Sequence, residues 1–196
     1  MTEAKVLRWL GMICLLAGIA RIGMTPTAIA WGTDSPQELT FGYIACVLMS
    51  VGTIALYLAQ SRETGVLGFI GALGMIVGNI LTTALVFTTF ILDTSQDPPE
   101  GLAVAITGMG SMIGMMGGTL LLTILTFRAK VFPIWVPILF VVMMASMFLP
   151  VADNKYFAFF WGLAYVGAGF CIWTGRLKPR EQSLYTAEAA GAQVRA

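Results

Sequence analysis

Residues 101–127 read GLAVAITGMGSMIGMMGGTLLLTILTF, a run of 27 residues without a charged side chain. Because about 20 apolar residues suffice to cross a bilayer, this run predicts a tilted transmembrane helix. Gly110, Gly114 and Gly118 recur at every fourth position, so on a helix they form one row without side chains. A second backbone can approach such a row closely, which is how many membrane helices associate. We therefore expect this helix to be the packing centre of a membrane bundle.

The composition of the whole chain indicates the same class of protein. Of its 196 residues, 58% are hydrophobic and 11% are charged, and the mean hydropathy is +0.85. A soluble domain usually carries about 25% charged residues. The formal net charge of +1 and the lack of a basic run give no support to nucleic-acid binding. The chain has no histidine, which removes the commonest haem and zinc ligand and the usual catalytic base.

Several apolar runs predict an all-α fold, a polytopic membrane bundle of six transmembrane helices. The predicted spans are 6–30, 39–60, 65–92, 101–127, 131–150 and 156–174. They form one transmembrane domain, 1–174, and residues 175–196 form a polar cytoplasmic tail that we expect to be mobile. Pro26 is expected to break or kink the first helix. The third span carries Gly74 and Gly78 in a GxxxG spacing, so we expect it to pack antiparallel against the fourth span.

The charges in the predicted loops are divided unevenly between the two sides of the bundle. One side holds the basic residues Lys5, Arg8, Arg62, Arg128, Lys130, Arg176, Lys178, Arg180 and Arg195. The other side holds the acidic residues Asp34, Glu38, Asp93, Asp97, Glu100 and Asp153, with Lys155 as its only clear base. By the positive-inside rule both termini are cytoplasmic. Six spans agree with this assignment, because an even number of spans places both termini on the same side. We predict a multi-pass protein of the cell membrane, in a bacterial inner membrane.

Arg21 is the only charged residue well inside an apolar run. It lies about four helical turns from the start of the first span, toward the outer leaflet, where a charge is costly unless it is paired or reaches the headgroups. It could snorkel to the outer headgroups, or pair with Asp34, Glu38 or Asp93. The alternative is that Arg21 forms an anion or carboxylate site that faces the interior of the bundle.

Asn79 lies in the middle of the third span, and Thr82 shares its helix face. A buried amide must find hydrogen-bond partners in hydrocarbon, and Asn79 could find them on a neighbouring helix. The hydroxyl of Thr82 could bond its own helix backbone. The alternative is that both residues contact a solute, together with Arg21.

Two groups of side chains could bind a ligand, one group a lipid or a pigment and the other copper. Phe160, Trp161 and Tyr165 could line a hydrophobic pocket for a lipid or a pigment, although interfacial belts explain most aromatic residues of membrane helices. The methionines of the fourth and fifth spans could bind Cu(I), but methionine also fills gaps around glycine, and no histidine or CxxC motif assists. We therefore predict no metal and no obligatory cofactor. We expect the three cysteines to be small buried hydrophobic residues: Cys14, Cys46 and Cys171.

No predicted span contains an aspartate or a glutamate, and the chain has no P-loop, GxSxG or HExxH motif. The sequence therefore predicts that the protein is not an enzyme and relays no protons inside the membrane. One predicted function is that of an accessory or structural subunit, in contact with membrane lipids and other membrane proteins. The other is a homo-oligomeric channel or facilitator for a small neutral or anionic solute, with Arg21 and Asn79 near its path.

Overall fold

The computed structural model describes residues 2–92, 100–148 and 155–178. Its helices are α1 Glu3–Trp31, α2 Pro36–Ile91, α3 Leu102–Ala129, α4 Trp135–Ser146 and α5 Phe157–Thr174. The described residues contain no strand, so the predicted all-α class is confirmed. The acidic residues Asp93, Asp97 and Asp153, and the predicted tail from residue 179 onward, lie outside the described residues.

Helix α2 is a hairpin of two arms. Its backbone leaves helical geometry at Gln60 (φ −134°, ψ 15°) and at Gly65 (φ 55°, ψ −141°), on either side of the predicted polar turn 61–64. Gly65 has a positive φ, which glycine adopts without a Cβ clash. Two ring contacts join the arms, with centroids 5.8 Å and 6.3 Å apart: Tyr57 with Phe69, and Tyr43 with Phe87. Both contacts pair residues at nearly equal distances from the turn, so the two arms run antiparallel.

Four helices, α1, α2, α3 and α5, are long and apolar enough to cross a membrane. Their outward surfaces expose large apolar side chains, among them Leu67 and Ile70 on α2 and Ile106 and Ile113 on α3. Such a surface is unfavourable in water and favourable in hydrocarbon, because apolar area is costly to hydrate. These helices are therefore typical of an integral membrane protein.

Helix α4 is shorter than the predicted span 131–150. Its 12 residues extend over about 18 Å, whereas the hydrocarbon core of a bilayer is about 30 Å thick. Residues 131–134 are not helical. Pro133 accounts for part of this difference, because proline disfavours helical geometry in the residue before it.

Pro26 does not end the first helix, contrary to the expected break, since α1 continues through it to Trp31. Proline lacks the N–H that would bond the carbonyl one turn earlier. The hydroxyl of Thr27 donates to the carbonyl oxygens of Gly23 (2.8 Å) and Met24 (2.9 Å). The carbonyl that Pro26 leaves without a backbone donor is that of Ile22, so the Thr27 hydroxyl, which shares its one proton between the next two carbonyls, does not replace the missing bond.

The second arm of α2 and helix α3 touch at their glycines. A Cβ placed on Gly114 would lie 2.6 Å from the carbonyl oxygen of Gly74 and 3.0 Å from the amide nitrogen of Gly78. The two backbones are therefore in direct contact, as small residues allow between membrane helices. The neighbouring glycines of α3 extend this contact: Gly118 meets the carbonyl of Gly71, and Gly110 meets the side chain of Leu81.

A second backbone contact joins α1 to α5, which the sequence analysis did not predict. A Cβ on Gly18 would lie 2.5 Å from the carbonyl oxygen of Gly162, and a Cβ on Gly162 would lie 2.5 Å from that of Gly18. About two turns away, a Cβ on Gly169 would lie 2.8 Å from the carbonyl oxygen of Gly11. In each helix the two glycines are seven residues apart, so a search for GxxxG passes over them.

Several basic segments gather at one end of the bundle. Arg8 near the start of α1 lies beside Gly175 at the end of α5. The backbone N–H of Lys178 donates to the carbonyl of Val131 after α3 (2.8 Å). The side-chain amide of Gln60 holds the turn of α2 against the last turn of α3 (3.0 Å). The start of α1, the turn of α2 and the ends of α3 and α5 therefore share this end.

Candidate anion-binding site

Arg21 lies inside the bundle, where α1 meets the first arm of α2 and the start of α5. Its side chain is 6% exposed, so it does not reach the surface of the protein. Its Nη1 donates to the Sδ of Met24 at 3.2 Å and, at 3.9 Å, to the Sγ of Cys46. Sulfur is a weak hydrogen-bond acceptor. These two contacts therefore leave the guanidinium group most of its hydrogen-bonding capacity.

Two aromatic rings at the start of α5 lie against this guanidinium group. The Cζ of Arg21 lies 5.2 Å from the ring centroid of Phe157 and 5.8 Å from that of Trp161. A desolvated cation–π contact stabilises a charge by about 2 kcal/mol. An unpaired buried ion costs several kcal/mol in real proteins. The rings therefore hold Arg21 in position and offset part of the cost of burying its charge.

Two buried N–H groups in this cluster have no hydrogen-bond partner in the described part of the chain. They are the Nε of Arg21 and the Nε1 of Trp161, and the Trp161 side chain is 2% exposed. Both nitrogens can only donate. Each buried donor without an acceptor costs about 1–3 kcal/mol, and folded proteins contain few of them. The cluster thus has the chemistry of a site for an electron-rich ligand.

Of the carboxylates proposed as partners of Arg21, Glu38 lies near: burial raises its pKa and the Arg21 charge offsets part of this rise, but Glu38 makes no hydrogen bond or ion pair with the guanidinium group. The Oε2 of Glu38 accepts a hydrogen bond from the backbone N–H of Asp34 at 2.7 Å. Within residues 2–92, 100–148 and 155–178, the contacts of Arg21 are with sulfur atoms and aromatic rings and include no carboxylate. Asp93, the third proposed partner, lies outside the described residues.

Below Arg21, one face of the first arm of α2 carries a column of buried polar contacts. Cys46, Thr53 and Gln60 follow one another at intervals of seven residues. Each contacts another helix: Cys46 meets Arg21 of α1, Thr53 meets Tyr165 of α5 (2.8 Å) and Gln60 meets Thr126 of α3 (3.0 Å). The column extends over about 21 Å at the helical rise per residue, which is most of the thickness of a membrane.

The middle contact of the column has a defined direction. The hydroxyl of Thr53 donates its proton to the carbonyl of Met49 at 2.8 Å. A hydroxyl has one proton, so the hydroxyl of Tyr165 must be the donor to Thr53. Tyr165 is fully buried, and its hydroxyl depends on this one acceptor.

We expect removal of the Thr53 hydroxyl to lower the free energy of unfolding more than removal of the Tyr165 hydroxyl. Thr53→Val leaves the buried Tyr165 hydroxyl without an acceptor and should lower the free energy of unfolding by about 2 kcal/mol. Tyr165→Phe leaves Thr53 bonded to Met49 and should cost about 1 kcal/mol. Denaturation in detergent of both single variants and the double variant measures this. Equal losses that add in the double variant would contradict the bond.

Asn79 and Thr82 lie at the interface between the second arm of α2 and α3. The Nδ2 of Asn79 donates to the carbonyl of Met75 in its own helix (2.9 Å), and its Oδ1 has no partner among the described residues. The hydroxyl of Thr82 lies 2.6 Å from that of Ser111 on α3 and 2.8 Å from the carbonyl of Gly78. The described contacts of both residues are within this helix pair, and none of them is with Arg21.

The aromatic residues considered for a lipid or pigment pocket are packed in different ways. Trp161 forms an edge-on contact with Phe157 at 6.4 Å between centroids, and Tyr165 bonds Thr53. Phe160 is only partly buried and contacts Phe159. Trp161 and Tyr165 are thus enclosed by the chain's own residues, and a pigment or lipid pocket at this place stays a prediction.

The cysteines and methionines do not converge on a metal site. Cys14, Cys46 and Cys171 are free and buried, as predicted for small hydrophobic residues. The described residues contain no group of three histidine, cysteine or acidic side chains that could hold a metal ion. Met112 of α3 is 59% exposed, whereas Met143 of α4 is fully buried, so these two methionines, which were considered as copper ligands although no metal was predicted, do not face each other.

No family model, curated protein or solved structure matches this chain.

Proposed function

We propose that this protein is a facilitator that binds a small anion at Arg21 and passes it through a bundle of six membrane spans. The spans are α1, the first arm of α2, its second arm, α3, α4 with its flanking residues, and α5. With the basic end of the bundle in the cytoplasm, both termini are cytoplasmic. The membrane that we propose is a bacterial inner membrane, and the protein performs no catalytic chemistry.

The buried guanidinium group, which no carboxylate among the described residues contacts, is the observation that carries this proposal. A charged arginine near the centre of a membrane helix costs about 3 kcal/mol on insertion scales and about 10 kcal/mol or more in simulations, and the larger figure exceeds what two ring contacts supply. The sulfur and ring contacts of Arg21 offset part of that cost. An anion would offset the rest, because it supplies both the opposite charge and an acceptor for the Nε of Arg21.

The polar column below Arg21 supports passage of the anion in addition to binding. Its contacts place N–H or O–H groups at three levels, although both hydroxyl protons of the middle level are already donated, to Met49 and to Thr53, and its described part contains no carboxylate. Met49 and Leu56 lie between these levels and are almost completely buried, so the column is closed in this conformation. Methionine is flexible and unbranched, so a modest side-chain movement at Met49 would open the upper half.

Anion flux in proteoliposomes tests the proposal. We expect the purified protein to carry a small anion down its gradient and Arg21→Gln to reduce that flux at least tenfold, because the charge that attracts the anion is gone. Arg8→Gln is the matched control, since Arg8 is an exposed arginine on the same helix. The proposal fails if Arg21→Gln carries every tested anion as fast as Arg8→Gln does.

The closed column also favours a second candidate, an accessory subunit of a larger membrane complex. The glycines Gly74, Gly78, Gly114 and Gly118 are occupied within the chain, so a partner would have to bind another surface. Native mass spectrometry after gentle detergent extraction separates the candidates. Homo-oligomers with bound lipid would favour the facilitator, and stoichiometric co-extraction of other membrane proteins would favour the subunit.

A further inference from the structure

The chemistry of the groups around Arg21 narrows the class of anion that the site would take. This inference rests on the proposed function, because it concerns the ligand of the same site. The relevant groups are the free N–H donors of Arg21 and Trp161, the two sulfur atoms and the two aromatic rings. Together they define how much of an anion's hydration the protein can replace.

The Arg21 site can replace few of the water hydrogen bonds that an anion loses on entry. Its fully buried donors without a partner among the described residues are the Nε of Arg21 and the Nε1 of Trp161, and the described hydrogen bonds of the guanidinium group use only its Nη1, which leaves Nη2 as a further donor. The remaining described contacts of the guanidinium group are soft and weakly polar: Met24, Cys46, Phe157 and Trp161. A strongly hydrated anion such as sulfate or phosphate would lose many water hydrogen bonds on entry and regain few. A weakly hydrated monovalent anion loses much less, and one positive charge suffices to neutralise it.

The aromatic rings also restrict where the anion can lie. The face of an aromatic ring carries negative potential and its edge carries positive potential. Arg21 lies over the faces of Phe157 and Trp161, which leaves the indole edge with its N–H for the anion. Polarisable sulfur atoms near the guanidinium group are compatible with a large, polarisable anion.

We propose that the Arg21 site selects weakly hydrated monovalent anions, of the class of iodide, thiocyanate and perchlorate, held between the Nε of Arg21 and the Nε1 of Trp161. The fluorescence of Trp161 can report the binding of the anion, because iodide quenches indole fluorescence on contact. An indole that is 2% exposed is quenched efficiently only by an anion that enters the site.

The experiment uses the full chain in detergent, with Trp161 as its only tryptophan and the other four replaced by phenylalanine. Potassium iodide is added in increasing concentration. Potassium fluoride, whose anion is strongly hydrated, replaces it at the lower concentrations so that the ionic strength stays constant. We expect saturable quenching of Trp161, reversed by perchlorate at concentrations at least tenfold lower than those needed of sulfate or acetate. A matched variant that keeps only Trp173, which is 47% exposed, should show linear quenching without saturation.

Substitutions at Arg21 complete the test. Arg21→Gln should remove the saturable component. Arg21→Lys keeps the charge but lacks the Nε, and should weaken iodide binding roughly tenfold, as expected for one lost charge-assisted hydrogen bond. The Lys variant keeps the inference testable if Arg21→Gln does not fold.

The outcomes separate this inference from the proposed function. Sulfate or acetate competing as well as perchlorate would overturn the selectivity and leave the facilitator in place. The selectivity is also overturned if Trp161 shows no saturable quenching while flux of another anion still depends on Arg21. Both proposals fail if neither saturable quenching nor Arg21-dependent flux is found. Quenching of the same form in the Trp173 variant would overturn the assignment of the site to Trp161.

Discussion

Gly114→Val is expected to lower the free energy of unfolding by about 3 kcal/mol, the upper part of the usual range for overpacking. A Cβ at this position would lie 2.6 Å from the carbonyl oxygen of Gly74 and 3.1 Å from the Cα of Gly78. These atoms belong to the backbone of α2, so they cannot rotate away as a side chain could. The second arm of α2 and α3 would have to move apart, which loses packing along the whole interface.

Gly117→Val on the same helix is the control for this substitution. A Cβ on Gly117 would meet nothing within 4 Å, while the change in helix propensity is the same. Thermal denaturation of both variants in one detergent makes the comparison, and we expect Gly117→Val to melt near the wild-type protein. If the two variants melt together, the glycine contact contributes nothing specific to stability.

Arg21→Met is expected to abolish anion flux and to leave the protein as stable as before or more stable, by up to about 2 kcal/mol. Methionine has a similar length and suits the apolar surroundings of Met24, Phe157 and Trp161. The substitution removes a buried charge that has no carboxylate partner among the described residues, so the unfavourable desolvation of that charge is removed with it. Flux in proteoliposomes and the thermal midpoint in detergent measure the two effects on one sample.

Arg8→Met provides the comparison, because Arg8 is exposed on the same helix and should show neither effect. A loss of several kcal/mol in Arg21→Met would mean that the guanidinium group holds α1, α2 and α5 together. That result would remove the main support for the anion site, even if flux also fell.

The sequence predicted one helix contact of the bundle and missed the other. The glycines of α3 recur every four residues, and the facing pair Gly74 and Gly78 has the same spacing in a neighbouring span, so that contact could be predicted from adjacency alone. Gly18 and Gly162 are isolated in a search for GxxxG and lie at opposite ends of the chain. Their contact depends on which helices adjoin in space, which no local pattern specifies.

The sequence likewise identified one part of the candidate site and missed the rest. Arg21 could be identified from the sequence because a charge inside an apolar run is rare. Its neighbours Cys46, Phe157 and Trp161 are ordinary membrane residues when taken one at a time, and their role arises from their position beside Arg21. The column of Cys46, Thr53 and Gln60 likewise requires the register of α2 against three other helices, whereas its seven-residue spacing alone fits any packed helix face.

The pairing of α1 with α5 has a consequence for the synthesis of the protein. Chains fold from the N-terminus as they leave the ribosome, so α1 is made before α5, the helix against which it packs. Until Phe157 and Trp161 arrive, Arg21 lacks the rings that hold it, and its charge faces lipid or the insertion machinery. Helix α1 thus completes its packing only after α5 has been made. A chain cut short before α5 would carry an exposed intramembrane arginine, a feature by which cellular quality control could distinguish unfinished copies from finished ones.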